Sequence, residues 1–76
     1  METVMGLEPY SDKTIIAVGV SHGIAGGKID FPEGRTLAGA LEFLGKAGGK
    51  RFALYFEDGS DAWWEWNREQ QAFIPR

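Results

Sequence analysis

The stretch Arg51-Phe52-Ala53-Leu54-Tyr55-Phe56-Glu57-Asp58-Gly59-Ser60-Asp61-Ala62-Trp63-Trp64-Glu65-Trp66 decides how this chain folds. Successive side chains of a strand point to opposite faces of a sheet. From Lys50 to Glu57, Phe52, Leu54 and Phe56 therefore share one face, and Ala53, Tyr55 and Glu57 share the other. After the turn, Trp64 and Trp66 share a face, with Trp63 and Glu65 opposite. The turn length sets how the two runs combine. A two-residue Asp58-Gly59 loop would pair Phe52 with Glu65 and Phe56 with Asp61, which puts carboxylates on the apolar face. A three-residue loop with Gly59 in the left-handed conformation pairs Phe52 with Trp64 and Leu54 with Ala62. A slip of one residue moves every side chain to the other face, so the odd loop is the expected one. It places Trp64 and Trp66 in the core. It leaves Tyr55, Trp63, Asp61 and Glu65 on the opposite face.

The same reasoning extends outward. Asn67 to Gln70 is a polar turn, and Gln71 to Ile74 is a last short strand ended by Pro75. Lys13 to Ser21 is rich in β-branched residues and apolar or small on both faces, as a central strand requires, with Ile16, Val18 and Val20 on one side and Ile15, Ala17 and Gly19 on the other. Gly23, Gly26 and Gly27 mark a loop, after which Lys28-Ile29-Asp30-Phe31 alternates with Ile29 and Phe31 inward until Pro32 stops it. Thr36 is an N-cap candidate. Leu37, Ala40, Leu41 and Leu44 then form the apolar stripe of a helix, with Lys46 in its last turn and Gly48-Gly49 ending it. Residues 1–12 read as a mobile arm or as a short edge strand built on Val4, Met5 and Leu7. The expected fold is α+β in the order β-β-α-β-β-β, a five-stranded antiparallel sheet with one helix on one face. How the first hairpin joins the C-terminal meander is open at this level.

With 76 residues, one domain spanning 1–76 is expected. A chain of this size buries only about 60% of the surface it exposes when unfolded. It has no cysteine and one histidine, so neither a disulfide nor a thiolate metal site can reinforce it, and no metal or cofactor is expected. Ten aromatic residues must supply much of a total stability on the order of 5 kcal/mol. The net charge of −3 argues against broad nucleic-acid binding, which needs a basic surface. No apolar run approaches a membrane span, and the start Met1-Glu2-Thr3-Val4 does not read as a signal peptide, so a cytoplasmic location is the expectation.

Motifs for chemistry are few. Gly23-Ile24-Ala25-Gly26-Gly27-Lys28 lacks the glycine spacing of a phosphate loop, carries Ile29 where a magnesium-binding hydroxyl belongs, and leads into a strand. Gly45-Lys46-Ala47-Gly48-Gly49-Lys50-Arg51 reads as a helix C-cap rather than a nucleic-acid clamp. His22 follows Ser21, but no third group is identified to orient such a pair, and an enzyme is not expected. What remains is a surface. Tyr55 and Trp63 on the outer face, with Glu57, Asp58, Asp61 and Glu65 around them, form a candidate partner-binding site: an aromatic anchor rimmed by carboxylates. The expected partner is a protein with a basic surface, and the chain itself a monomer or weak homodimer. The alternative is a ligand module that stacks a nucleobase or sugar on the two rings. In size, charge and coarse architecture the chain resembles phage- or mobile-element-encoded inhibitors, anti-CRISPR proteins among them. That resemblance implies a binding and inhibitory role and assigns no residue.

Overall fold

A computed structural model describes residues 3–76. Its strands are β1 (Thr3–Val4), β2 (Ile15–His22), β3 (Ala25–Arg35), β4 (Arg51–Phe56), β5 (Asp61–Asn67) and β6 (Ala72–Pro75), with a 3-10 turn at Glu8–Tyr10 and one helix, α1 (Leu37–Ala47). All six strands form one sheet in the order β1-β6-β5-β4-β2-β3. The expected α+β class and single helix are present. The sheet, however, is six-stranded and mixed rather than five-stranded and antiparallel, because Thr3 and Val4 pair parallel to Ala72 and Phe73. Only Met1 and Glu2 of the N-terminal arm lie outside the described residues.

The tryptophan hairpin has the register that parity requires: Phe52 faces Trp64, and Leu54 faces Ala62. Gly59 adopts φ 89°, and the Phe56 carbonyl accepts from its N–H at 3.0 Å. This is the three-residue turn, with the left-handed position filled by the one residue that has no Cβ to clash there. Trp64 is 0% exposed, and Trp63 is 40% exposed. Trp66 differs from expectation. It is only half-buried, its ring edge-on to Phe73 at 5.2 Å.

β2 is flanked on one side by β3 and on the other by β4, antiparallel to both. β3 and β4 are therefore parallel to each other, and α1 is the crossover that joins them over β2. This settles how the first hairpin meets the meander. The helix starts as its sequence dictates: the Thr36 hydroxyl accepts from the Gly39 N–H at 3.2 Å, and Ala40 and Leu44 are buried against the sheet. Phe43 meets Phe31 edge-to-face at 5.6 Å.

Two corrections concern the first hairpin. A bulge between Ile15 and Ala17 shifts the register. It turns Ile15 into the core, fully buried beside Phe56, and leaves Ile16 exposed, the reverse of plain alternation. β3 also resumes earlier and runs further than expected. The turn is only Gly23 and Ile24, with His22 opposite Ala25, and the strand continues through Pro32 to Arg35. Proline is tolerated there because β3 lies at the sheet edge.

One helix of 11 residues cannot cover six strands. α1 packs over β2 and β3. The N-terminal segment covers the rest of the same face. Tyr10 stacks on Phe56 at 5.2 Å and meets Trp64 edge-on at 5.5 Å. The Trp64 Nε1–H donates to the Met5 carbonyl at 2.7 Å, and the Met5 N–H to the Phe73 carbonyl at 3.0 Å. Val4, Leu7 and Tyr10 of this segment thus pack against the core, and Thr3–Val4 is a short edge strand, one of the two alternatives for residues 1–12. These three side chains lie on the helix side of the sheet, away from Trp63. No helix of the described residues is long and apolar enough to cross a membrane.

The exit from α1 gives a direct test of this packing. Gly49 has φ 104°, and a Cβ placed there would lie 2.7 Å from Val20 Cγ1 and 3.1 Å from the Ser21 carbonyl oxygen. Gly49→Ala is expected to lower stability by about 1–3 kcal/mol in urea denaturation. A neutral substitution would show that the chain leaves the helix by another path.

Candidate functional site

The outer face of the sheet carries no helix and no covering segment among the described residues. Its floor is small. Gly19 faces Ala53 across β2 and β4, and Ala17 faces Tyr55. Ala17 and Ala53 are buried although no helix or further segment lies above them. The Tyr55 ring reaches over Gly19, its hydroxyl 3.6 Å from the position a Cβ would take. The Lys28 ammonium sits 4.7 Å from the centre of that ring, a cation–π contact. Trp63 stands edge-on to Tyr55 at 6.4 Å and 79°. The aromatic pair read from the sequence is therefore brought together, with a cation on one ring and the other ring partly open.

The carboxylates divide. Asp61 lies directly across from Tyr55, exposed and on the same face. Glu57 is exposed at the start of the turn. Neither makes an ion pair among the described residues. Glu65 is held between two guanidinium groups, Arg51 at 3.4 Å and Arg76 at 3.2 Å, and is less available to a partner than a lone carboxylate would be. Asp58 is turned away from the face. Its oxygens accept from the Ser60 hydroxyl at 2.5 Å and the Ser60 N–H at 2.9 Å, and the Lys13 ammonium lies 3.0 Å away. These hydrogen bonds from Ser60, with Lys13 beside them, hold the Asp58 carboxyl well below the usual carboxylate range.

Asp58 thus fastens the hairpin turn to the N-terminal segment. Its native pKa is depressed, so its contribution to stability is fully present above the unfolded value of about 3.9 and is lost as pH falls through the native value. Urea midpoints of the wild type and Asp58→Asn are expected to differ near neutral pH and to converge on acidification toward about pH 2. A constant gap across that range would mean that the charge of Asp58 contributes nothing.

Three residues of this face escaped the sequence reading. Arg51 shares the parity of Tyr55 on β4 and lies opposite Glu65 in the hairpin register, so it was open to the same argument, whereas Lys28 and Arg76 reach the face through the pairings of β3 with β2 and of β5 with β6, which only the sheet order reveals. The face is consequently mixed in charge rather than acidic. The remaining sequence candidates go elsewhere. The Ser21 hydroxyl donates to the Gly23 carbonyl at 3.1 Å, inside its own hairpin. His22 is exposed at the end of β2, near Gly49. Among the described residues no three His, Asp or Glu side chains gather as a metal site would need. On the helix side, an open groove of about 520 Å³ runs between the end of α1 and the sheet, lined by Leu44, Gly45, Gly48, Gly49, Phe52 and Phe73. The chain matches no protein-family model, no curated protein and no solved structure.

Proposed function

We propose that this chain is a non-enzymatic interaction protein that docks a protein partner on the outer face of its sheet. Trp63 is the anchor, Tyr55 with Lys28 is its wall, and Asp61 and Glu57 are the rim that meets basic groups of the partner. The observation that carries this reading is an uncovered sheet face with a 40%-exposed indole at its centre. Large aromatics that lose their remaining water on docking dominate binding energies, and rim charges mainly steer the encounter. The net charge of −3 favours a basic partner. Covering that partner's own basic site would make the chain an inhibitor.

The alternative, stacking of a nucleobase or sugar, is less well supported by the same geometry. The two rings stand at 79° and form no parallel platform, and Lys28 already occupies a face of Tyr55. Affinity capture from native lysate, followed by association kinetics across a salt series, separates the two. Charge reversal at Asp61 and Glu57 is expected to slow association about tenfold at low salt and to flatten its salt dependence. A ligand bound by stacking on a sugar would leave both unchanged.

A further inference from the structure

The two edges of the sheet are unequal: one is the two-residue β1, and the other is β3, 11 residues long. Along β3 the direction of the main-chain groups follows from its neighbours. The Ser21 carbonyl accepts from the Lys50 N–H at 3.0 Å, so the polar groups of Ser21 face β4 and not β3. Residues opposite one another in an antiparallel pair alternate between bonded and non-bonded pairs. Gly26, opposite Ser21, therefore turns its N–H and C=O away from β2, and so do Lys28 and Asp30, opposite Gly19 and Ala17. Beyond Asp30 the register breaks: four residues of β3, Phe31 to Gly34, stand against the bulge at Ile16. The usable edge is the straight run from Gly26 to Asp30.

We infer that this edge pairs with the same edge of a second copy of this chain, antiparallel, about a twofold axis at Ile29. In that register Ile29 faces Ile29 of the second copy, Lys28 faces its Asp30, and Asp30 faces its Lys28. Each Lys28–Asp30 pair joins residues whose main-chain groups point outward, so both exchange N–H and C=O bonds across the interface. Lys28 and Asp30 lie on the outer face, where each lysine, swinging out from the Tyr55 ring that it covers in the single chain, meets a carboxylate. Asp30 has no ion-pair partner among the described residues. Ile29 lies on the helix side, 44% exposed at the rim of the core, and the close approach of a non-bonded pair covers that apolar surface. An axis at Lys28 would set lysine against lysine, and an axis at Gly27 would leave both charges without a partner. One register is thus self-complementary, as a twofold interface requires. It is narrow, and a dissociation constant in the micromolar to millimolar range is expected. The dimer is one continuous sheet that presents two Trp63 faces on the same side. Two linked sites raise avidity toward a repeated or twofold partner without a new contact.

Sedimentation equilibrium over about 10 μM to about 1 mM tests this. The wild-type mass is expected to rise from 8.4 kDa toward twice that value. Asp30→Lys sets lysine against lysine, Lys28→Asp sets aspartate against aspartate, and Ile29→Lys puts two like charges at the axis. Each is expected to weaken self-association by about tenfold or more, with an unchanged circular dichroism spectrum. Mixing Asp30→Lys with Lys28→Asp is expected to restore association as a heterodimer, because every pair across the axis is then of opposite charge. A wild type that stays at 8.4 kDa throughout overturns the proposal. So do single variants that associate like wild type, and so does a mixture that fails to recover.

Discussion

Trp64→Ala is expected to remove about 3–5 kcal/mol of stability, most of what a domain of this size has. Trp64 is fully buried, stacks on Phe52 at 5.2 Å and 12°, and receives the edge of Tyr10 at 5.5 Å. Its loss leaves a cavity at the centre of the inner face. It also strips the Met5 carbonyl of its donor, which loosens the N-terminal segment from β5. Urea denaturation should show a variant that is partly unfolded at room temperature. Trp63→Ala, one residue away, is expected to cost less than half as much, because that indole is already 40% exposed. Equal losses at the two positions would overturn the register of the hairpin and with it the assignment of faces.

The second large effect concerns binding. Trp63→Ala is expected to speed dissociation of the partner about thirtyfold, about 2 kcal/mol, while association changes little. Tyr55→Ala is expected to act in the same direction. It removes the ring against which Trp63 stands and uncovers Gly19, so the anchor loses its wall as well as its neighbour. Surface plasmon resonance separates these dissociation effects from the association effects of Asp61 and Glu57.

The tryptophan hairpin and the helix were legible in the sequence for one reason each. Around Gly59 only one turn length keeps Phe52, Leu54, Trp64 and Ala62 on one side, so parity alone selects it. In α1, Thr36, the leucine stripe and Gly48 name the start, the buried face and the end. The failures are equally specific. The bulge beside Ile15 lies in a strand that is apolar on both faces, where alternation carries no information about which side is core. The pairing of Thr3 with Ala72 joins two residues at opposite ends of the chain, and no local pattern announces it. Pro32 stops a central strand but not an edge strand, and the sequence does not say which kind β3 is. At the candidate site, Tyr55, Trp63 and Asp61 follow from the hairpin register. The pairing of Glu65 with Arg51 follows from that register as well, whereas the diversion of Asp58 to Lys13 and of Glu65 to Arg76 depends on the segment before β2 and on the last strand, so it becomes visible only once those are placed.

If the outer face around Trp63 is the binding surface, the loss of its indole must show in the lifetime of the complex. The most direct measurement is the dissociation rate of the captured partner from wild type, from Trp63→Ala and from a control on the other side of the sheet, Leu41→Ala, with each variant confirmed as folded by circular dichroism. Dissociation is expected to be about thirtyfold faster from Trp63→Ala and unchanged from Leu41→Ala. Dissociation from Trp63→Ala at the wild-type rate would contradict that role of the outer face.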